Sequence, residues 1–182
     1  KPDLEGIKRT VSDPSVKAVL IQRSRGYSTR DSLSVEAIGE MCRLIKQANP
    51  NAAILVDNCY GEFVETQEPT HVGADLVVGS LIKNPGGGLA PTGGYIAGRR
   101  DLVEGAAMRL AAPGIGGECG STLGQNRLFY QGLFLAPHTV AQAVKTAVFG
   151  ARIMELLGYD AQPASHEVRH DIIQMIHMRG SE

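Results

Sequence analysis

The chain has 182 residues, 43% of them hydrophobic and 20% charged, and a formal net charge of −1. That length favours one domain able to bury its own core, and the composition excludes a disordered segment. The near-neutral charge gives no footprint for nucleic acid or an anionic membrane, and no apolar run reaches the roughly 20 residues of a membrane span.

In chain order, residues 16–21 read as a buried strand, followed by a polar loop over residues 23–31. Ser34 then caps a helix with Val35, Ile38, Met41, Cys42 and Ile45 on one face, ending before Pro50. Ala53-Ile54-Leu55-Val56 is a second buried strand that ends on Asp57, and residues 75–79 form a third that ends just before Lys83. Only a Gly/Pro-rich loop separates that strand from Gly94-Tyr95-Ile96-Ala97, so the fourth strand is expected to run antiparallel to the third. A helix near residues 101–110, a Gly-rich loop over 113–120 and a long helix from about Pro137 to Leu157 follow, with Gly158 at its C′ position. The tail carries a weak strand signal over residues 171–176.

Continuous apolar strands joined by crossovers predict an α/β fold: a three-layer, mostly parallel sheet with one antiparallel strand, covered on both faces. Residues 1–158 read as one core, and residues 159–182 as the start of an incomplete C-terminal region. The chain has no initiator Met and stops at Arg179-Gly180-Ser181-Glu182, which reads as a piece of a longer protein. Cys42, Cys59 and Cys119 are odd in number and never paired as C-x-x-C, which points to reduced thiols and a cytoplasmic location.

Ligands in open α/β sheets collect at the carboxyl ends of parallel strands, and two ionisable residues stand there, Asp57 and Lys83. A carboxylate and an amine on either side of a flat heterocycle is what pyridoxal-phosphate (PLP) chemistry requires. The lysine bonds the cofactor aldehyde, and the carboxylate keeps the pyridine nitrogen protonated.

Ser80-Leu81-Ile82-Lys83-Asn84-Pro85-Gly86 resembles the S-x-x-K-N-x-G segment of fold type I (aspartate-aminotransferase-fold) PLP enzymes. Asp57-Asn58-Cys59-Tyr60-Gly61-Glu62-Phe63 resembles their D-x-x-Y-x-x-F segment. The wider text, from Gln22-Arg23-Ser24-Arg25-Gly26-Tyr27 to Gly132-Leu133-Phe134-Leu135-Ala136-Pro137-His138, is similar to the methionine γ-lyase-like, aluminium-resistance branch over nearly the whole chain. The resemblance implies a PLP-dependent carbon–sulfur lyase acting on a cystathionine- or methionine-type amino acid by β- or γ-elimination. It also implies a homodimer or homotetramer. By the same resemblance Lys83 is the Schiff-base lysine and the base for the α-proton, and Asp57 pairs with the pyridine nitrogen. Ser80 contacts the phosphate, Tyr60 reaches the ring hydroxyl, and Cys59 sits against a ring face. The chain departs from the pattern at Ile82, where many lyases carry a hydroxyl residue, and at Pro91, where aminotransferases carry a phosphate-binding arginine.

Plainer readings stand beside these. Lys83 alone could be a solvated loop lysine, Asp57 and Ser80 turn residues, and Cys59 a small buried apolar side chain. A second function class follows from them: a non-catalytic α/β module whose residues 83–88 cradle a phosphate or nucleotide. The Gly114-Ile115-Gly116-Gly117-Glu118-Cys119-Gly120 run follows a helix rather than a strand and so lacks the context of a dinucleotide loop. His166 and His170 lie four apart without a helical pattern, and no metal site is expected. Arg23 is a candidate anion contact for substrate, beside the plainer reading of a solvated or interface residue.

Overall fold

In a computed structural model of the chain, residues 2–120, 123–178 and 180 are described; the abrupt end read at Arg179, Ser181 and Glu182 falls outside them. Helix α1 (Leu4–Val11) opens the chain, its first turn closed by Asp3, whose carboxylate accepts the Gly6 N–H at 2.9 Å. Strand β1 (Ala18–Gln22), helix α2 (Val35–Ala48), β2 (Ala53–Asp57), β3 (Leu76–Ser80) and β4 (Gly94–Gly98) follow. Helix α3 (Arg100–Leu110), helix α4 (Asn126–Leu156) and the short strands β5 (Asp160–Gln162) and β6 (Met175–His177) complete it. Ser34 caps α2 as its sequence predicts, accepting the Ala37 N–H at 3.0 Å. Among the described residues no helix is long and apolar enough to cross a membrane.

The main sheet runs β1-β2-β3-β4, with β1, β2 and β3 parallel and β4 antiparallel to β3, as the short connection requires. Register puts Ile21, Val56 and Val77 in one row on one face, and these pack with Ile38, Met41, Cys42 and Ile45 of α2 in the core. The other face carries Leu20, Leu55, Leu76, Val78 and Ile96, none of them buried; Leu20 is 65% exposed and Ile96 40%.

Among the described residues one sheet face is covered and the other is open, so within this chain the three-layer expectation is met on one face. Both parallel connections step in the same direction across the sheet. Right-handed crossovers then place both on the same side, and a helix on the opposite face would need a reversal of strand order. β1 accordingly alternates in burial rather than being buried throughout.

Two further boundaries differ. Helix α4 begins at Asn126, so Pro137 lies inside it rather than at its start. Packing at Gly132, Ala136 and Val140 outweighs the lost N–H of the proline. The tail strand forms later than its apolar signal, as β6, and pairs antiparallel with β5 in a separate two-stranded sheet.

Candidate active site

The carboxyl ends of β2 and β3, and the loops that follow them, carry five of the six residues singled out from sequence, all half-buried, and register puts Asp57 and Ser80 on the open side of the sheet. Asp57 is register partner to Val78, and Ser80 to Gly94, so Asp57, Val78, Ser80 and Gly94 form a low floor. Beyond β2 the chain cannot simply continue as a strand. The Asp57 carboxylate accepts the Cys59 N–H at 3.1 Å, the Asn58 N–H bonds the Val78 carbonyl at 2.9 Å, and Tyr60 adopts a left-handed backbone with φ 70°. Residues other than glycine rarely sit there.

Lys83 reaches this loop from the other side. Its backbone is held in a turn, N–H to the Ser80 carbonyl at 3.3 Å and carbonyl to the Gly86 N–H at 3.0 Å. The Lys83 Nζ lies 4.8 Å from the centroid of the Tyr60 ring. Partial burial pulls the lysine's pKa down, but Cys59, Tyr60 and Asp57 outweigh it and leave the amine above its ordinary range. Burial, and then Asp57, raise the Cys59 thiol, against a pull downward from the Ser80 amide and Lys83.

The glycines of this turn have local causes. A Cβ on Gly86 would lie 1.7 Å from the Leu81 carbonyl oxygen, and one on Gly87 would lie 2.3 Å from the Gly132 carbonyl oxygen. Helix α4 thus meets the lysine turn backbone to backbone at Gly132.

Beneath the turn lies a residue that sequence reasoning passed over. Glu62 is 3% exposed; its Oε1 accepts the Tyr95 hydroxyl at 2.8 Å, and its Oε2 has no partner among the described residues. Its backbone carbonyl accepts the Asn84 side-chain amide at 3.0 Å, next door to Lys83. Burial, opposed by the Tyr95 hydroxyl, pushes the carboxyl up to about 7. The only early signal was a second acidic residue inside the D-x-x-Y-x-x-F segment.

Arg23 does not join the site, and the substrate role expected of it is corrected. It is 0% exposed, and its guanidinium donates to Asn58 at 2.8 Å, Glu65 at 2.8 Å and Glu68 at 3.4 Å. A Cβ on Gly61 would press on it at 2.6 Å. The side chain braces the loop after β2 from the covered face and meets no solvent. A cavity of about 730 Å³ opens elsewhere, between the loop before α2 and the C-terminal segment, lined in part by Arg25, Leu33, Met41, Pro163 and His166. None of Asp57, Cys59, Tyr60, Ser80 and Lys83 lines it.

Comparison with known proteins places the chain. The methionine gamma-lyase family profile matches residues 1–182. The uncharacterized protein YnbB of Bacillus subtilis (strain 168) is 48% identical over 182 residues, which are all of this chain and 43% of that protein. A crystal structure from Clostridium acetobutylicum, named as a candidate cystathionine beta-lyase involved in aluminum resistance, is 55% identical with a TM-score of 0.93. It covers 97% of this chain, which in turn covers 42% of it. In fold alone the chain is similar to the pyridoxal-5'-phosphate dependent protein YhfS of Escherichia coli, at 18% identity and a TM-score of 0.65, covering 97% of this chain and 46% of that one. The chain thus spans less than half the length of these proteins.

Proposed function

The chain belongs to the methionine gamma-lyase family, and from that premise we propose that its protein is a PLP-dependent carbon–sulfur lyase whose cofactor lysine is Lys83. The substrate would be a sulfur-containing amino acid of the cystathionine or methionine type, cleaved by β- or γ-elimination. One observation carries the reading: an amine, a carboxylate and a hydroxyl, from Lys83, Asp57 and Ser80, meet on the open face at the ends of two adjacent parallel strands. That donor set suits a flat pyridine bearing an aldehyde and a phosphate, and the floor of Val78 and Gly94 leaves room above it.

When bound, PLP supplies the electron sink for the pair left at Cα once its proton is removed. The chain's own residues do the rest. With the cofactor bound, Lys83 would be the base that takes the α-proton on its Nζ and returns one during elimination. Asp57 would keep the pyridine nitrogen protonated, and its own position is fixed by the Cys59 N–H. Ser80 offers its hydroxyl to the phosphate. Cys59 offers a small, uncharged surface, since its raised pKa keeps it a thiol.

A non-catalytic phosphate-binding module would need the glycines after Lys83 to face a ligand. Gly86 and Gly87 instead allow contact with Leu81 and Gly132 of the chain itself, which favours the lyase reading. The deciding measurement is borohydride fixation of PLP on the full-length gene product, followed by peptide mass mapping. The expected result is an adduct on Lys83 that Lys83→Ala abolishes together with sulfur-amino-acid cleavage, while the far-ultraviolet dichroism stays unchanged. A colourless protein with Lys83 unmodified, or an active Lys83→Ala protein, overturns the assignment.

A further inference from the structure

We propose that the face of the Tyr60 ring is the holding place of the unbonded Lys83 ammonium, making Tyr60 a positioning residue that acts on the lysine through its π face. The inference rests on the proposed lyase function for its purpose, but its geometry belongs to the cofactor-free chain. A ring centroid 4.8 Å from Nζ lies inside the roughly 6 Å range over which a ring quadrupole attracts a cation.

The backbone is arranged for this contact. After Asp57 on the open side, Asn58 turns to the covered side, where it meets Arg23 and Glu68. Continued alternation would return Cys59 to the open side and send Tyr60 to the covered side, away from Lys83. The left-handed φ of 70° at Tyr60 breaks the alternation and brings position 60 beside its neighbour. Four hydrogen bonds pin that conformation. Three tie Asn58 to Val78, Cys59 to Asp57 and Gly61 to Asn58, and the fourth brings the Ile172 N–H to the Tyr60 carbonyl at 3.2 Å from the C-terminal segment. A tyrosine held in a sparsely populated backbone region by long-range contacts marks a constrained position. The groups that face Nζ are the Cys59 thiol, the Tyr60 side chain, whose ring centroid lies 4.8 Å away, and the Asp57 carboxylate.

The consequence is mechanistic. Lys83 is a cation before its cofactor bond forms and again once it has taken the α-proton, and in both forms the ring keeps a long, flexible side chain that would otherwise sample solvent within reach of the bond it must serve. The assignment also separates two roles for Tyr60. Contact through the hydroxyl to the cofactor, the role implied by the fold type I resemblance, fails in Tyr60→Phe. Contact through the ring face survives in Tyr60→Phe and is lost in Tyr60→Leu.

The test measures the titration midpoint of Lys83 in the cofactor-free, full-length protein, by ¹³C NMR after reductive ¹³C-methylation, with Lys83→Arg to assign the signal. Tyr60→Leu is expected to lower the midpoint by roughly half a pH unit, about a threefold rise in the uncharged fraction. Tyr60→Phe should leave it within about 0.2 unit, and Tyr60→Trp should raise it, because indole binds cations best. A midpoint unmoved by Leu, or moved equally by Phe and Leu, overturns the inference. If the graded shift is found but no PLP adduct forms on Lys83 in the unsubstituted protein, the holding contact stands and the lyase reading falls.

Discussion

Replacing Glu62 by glutamine tests whether a neutral acid is stored under the lysine turn. Burial holds the carboxyl at about 7, against an ordinary value of 4.5. A group whose folded pKa is raised keeps its full contribution to stability below the unfolded value and loses it as pH rises through the folded one. The unfolded chain releases this proton near pH 4.5 and the folded chain near pH 7, so stability falls across that window as pH rises. The loss totals about 3 kcal/mol, with a slope of at most about 1.4 kcal/mol per pH unit. Glutamine keeps the acceptor for the Tyr95 hydroxyl and has no proton to lose. At pH 5 both side chains leave one polar group unpartnered at the Oε2 position, and the two proteins should differ by no more than about 1 kcal/mol. By pH 8 Glu62→Gln should be the more stable by about 3 kcal/mol. Urea unfolding at pH 5, 6, 7 and 8 reads the difference directly, and subtraction of the two curves removes every other titrating group. A difference that stays flat from pH 5 to pH 8 would refute the buried neutral acid and require an ionised Glu62 with a partner.

Two further outcomes are expected. Gly132→Ala places a methyl 2.2 Å from the Gly86 carbonyl oxygen, and backbone on both sides cannot yield as a side chain would. It should cost about 1–3 kcal/mol in urea unfolding and loosen the turn bearing Lys83, seen as faster chemical labelling of that amine; unchanged stability and labelling would mean that α4 does not brace the turn. Asp57→Asn retains an acceptor for the Cys59 N–H, so the urea midpoint should shift by no more than about 0.5 kcal/mol. Its full-length protein should still fix PLP on Lys83 yet turn over about 100-fold more slowly or worse, and undiminished turnover would remove Asp57 from the chemistry.

The parts of the fold legible in sequence are those set by local rules. The apolar runs of β2 and β3, the Ser34 cap and the loop too short for a crossover before β4 each follow from residues close together in the chain. Asp57 and Lys83 were legible because strand ends are where ligand chemistry collects. What escaped depends on distance along the chain. Arg23 looked like a solvent-facing cation because its partners Asn58, Glu65 and Glu68 lie 35 to 45 residues further on. Glu62 became a buried acid only through Tyr95, across β3 at the glycine of position 79, where a Cβ would lie 2.4 Å from the tyrosine ring. Pro137 reads as a helix start on propensity alone, and only the seat of Gly132 against Gly86 explains why the helix extends before it.

These misses share a cause that also explains the site. With both parallel crossovers on one side, the covered face gathers the groups that fix loops: Arg23 against the loop after β2, and Glu62 with Tyr95 and Asn84 under the turn after β3. The open face is left to Asp57, Cys59, Ser80 and Lys83, the groups proposed to meet the cofactor. Tyr60 connects the two. It belongs by alternation to the bracing side, and its left-handed backbone moves it toward the proposed site, where its ring meets the lysine. A substitution on the covered face should therefore act on Lys83 only through stability and loop position, whereas one at Tyr60 should alter the amine itself at unchanged stability. The urea and lysine-titration measurements, made on the same set of variants, distinguish the two classes.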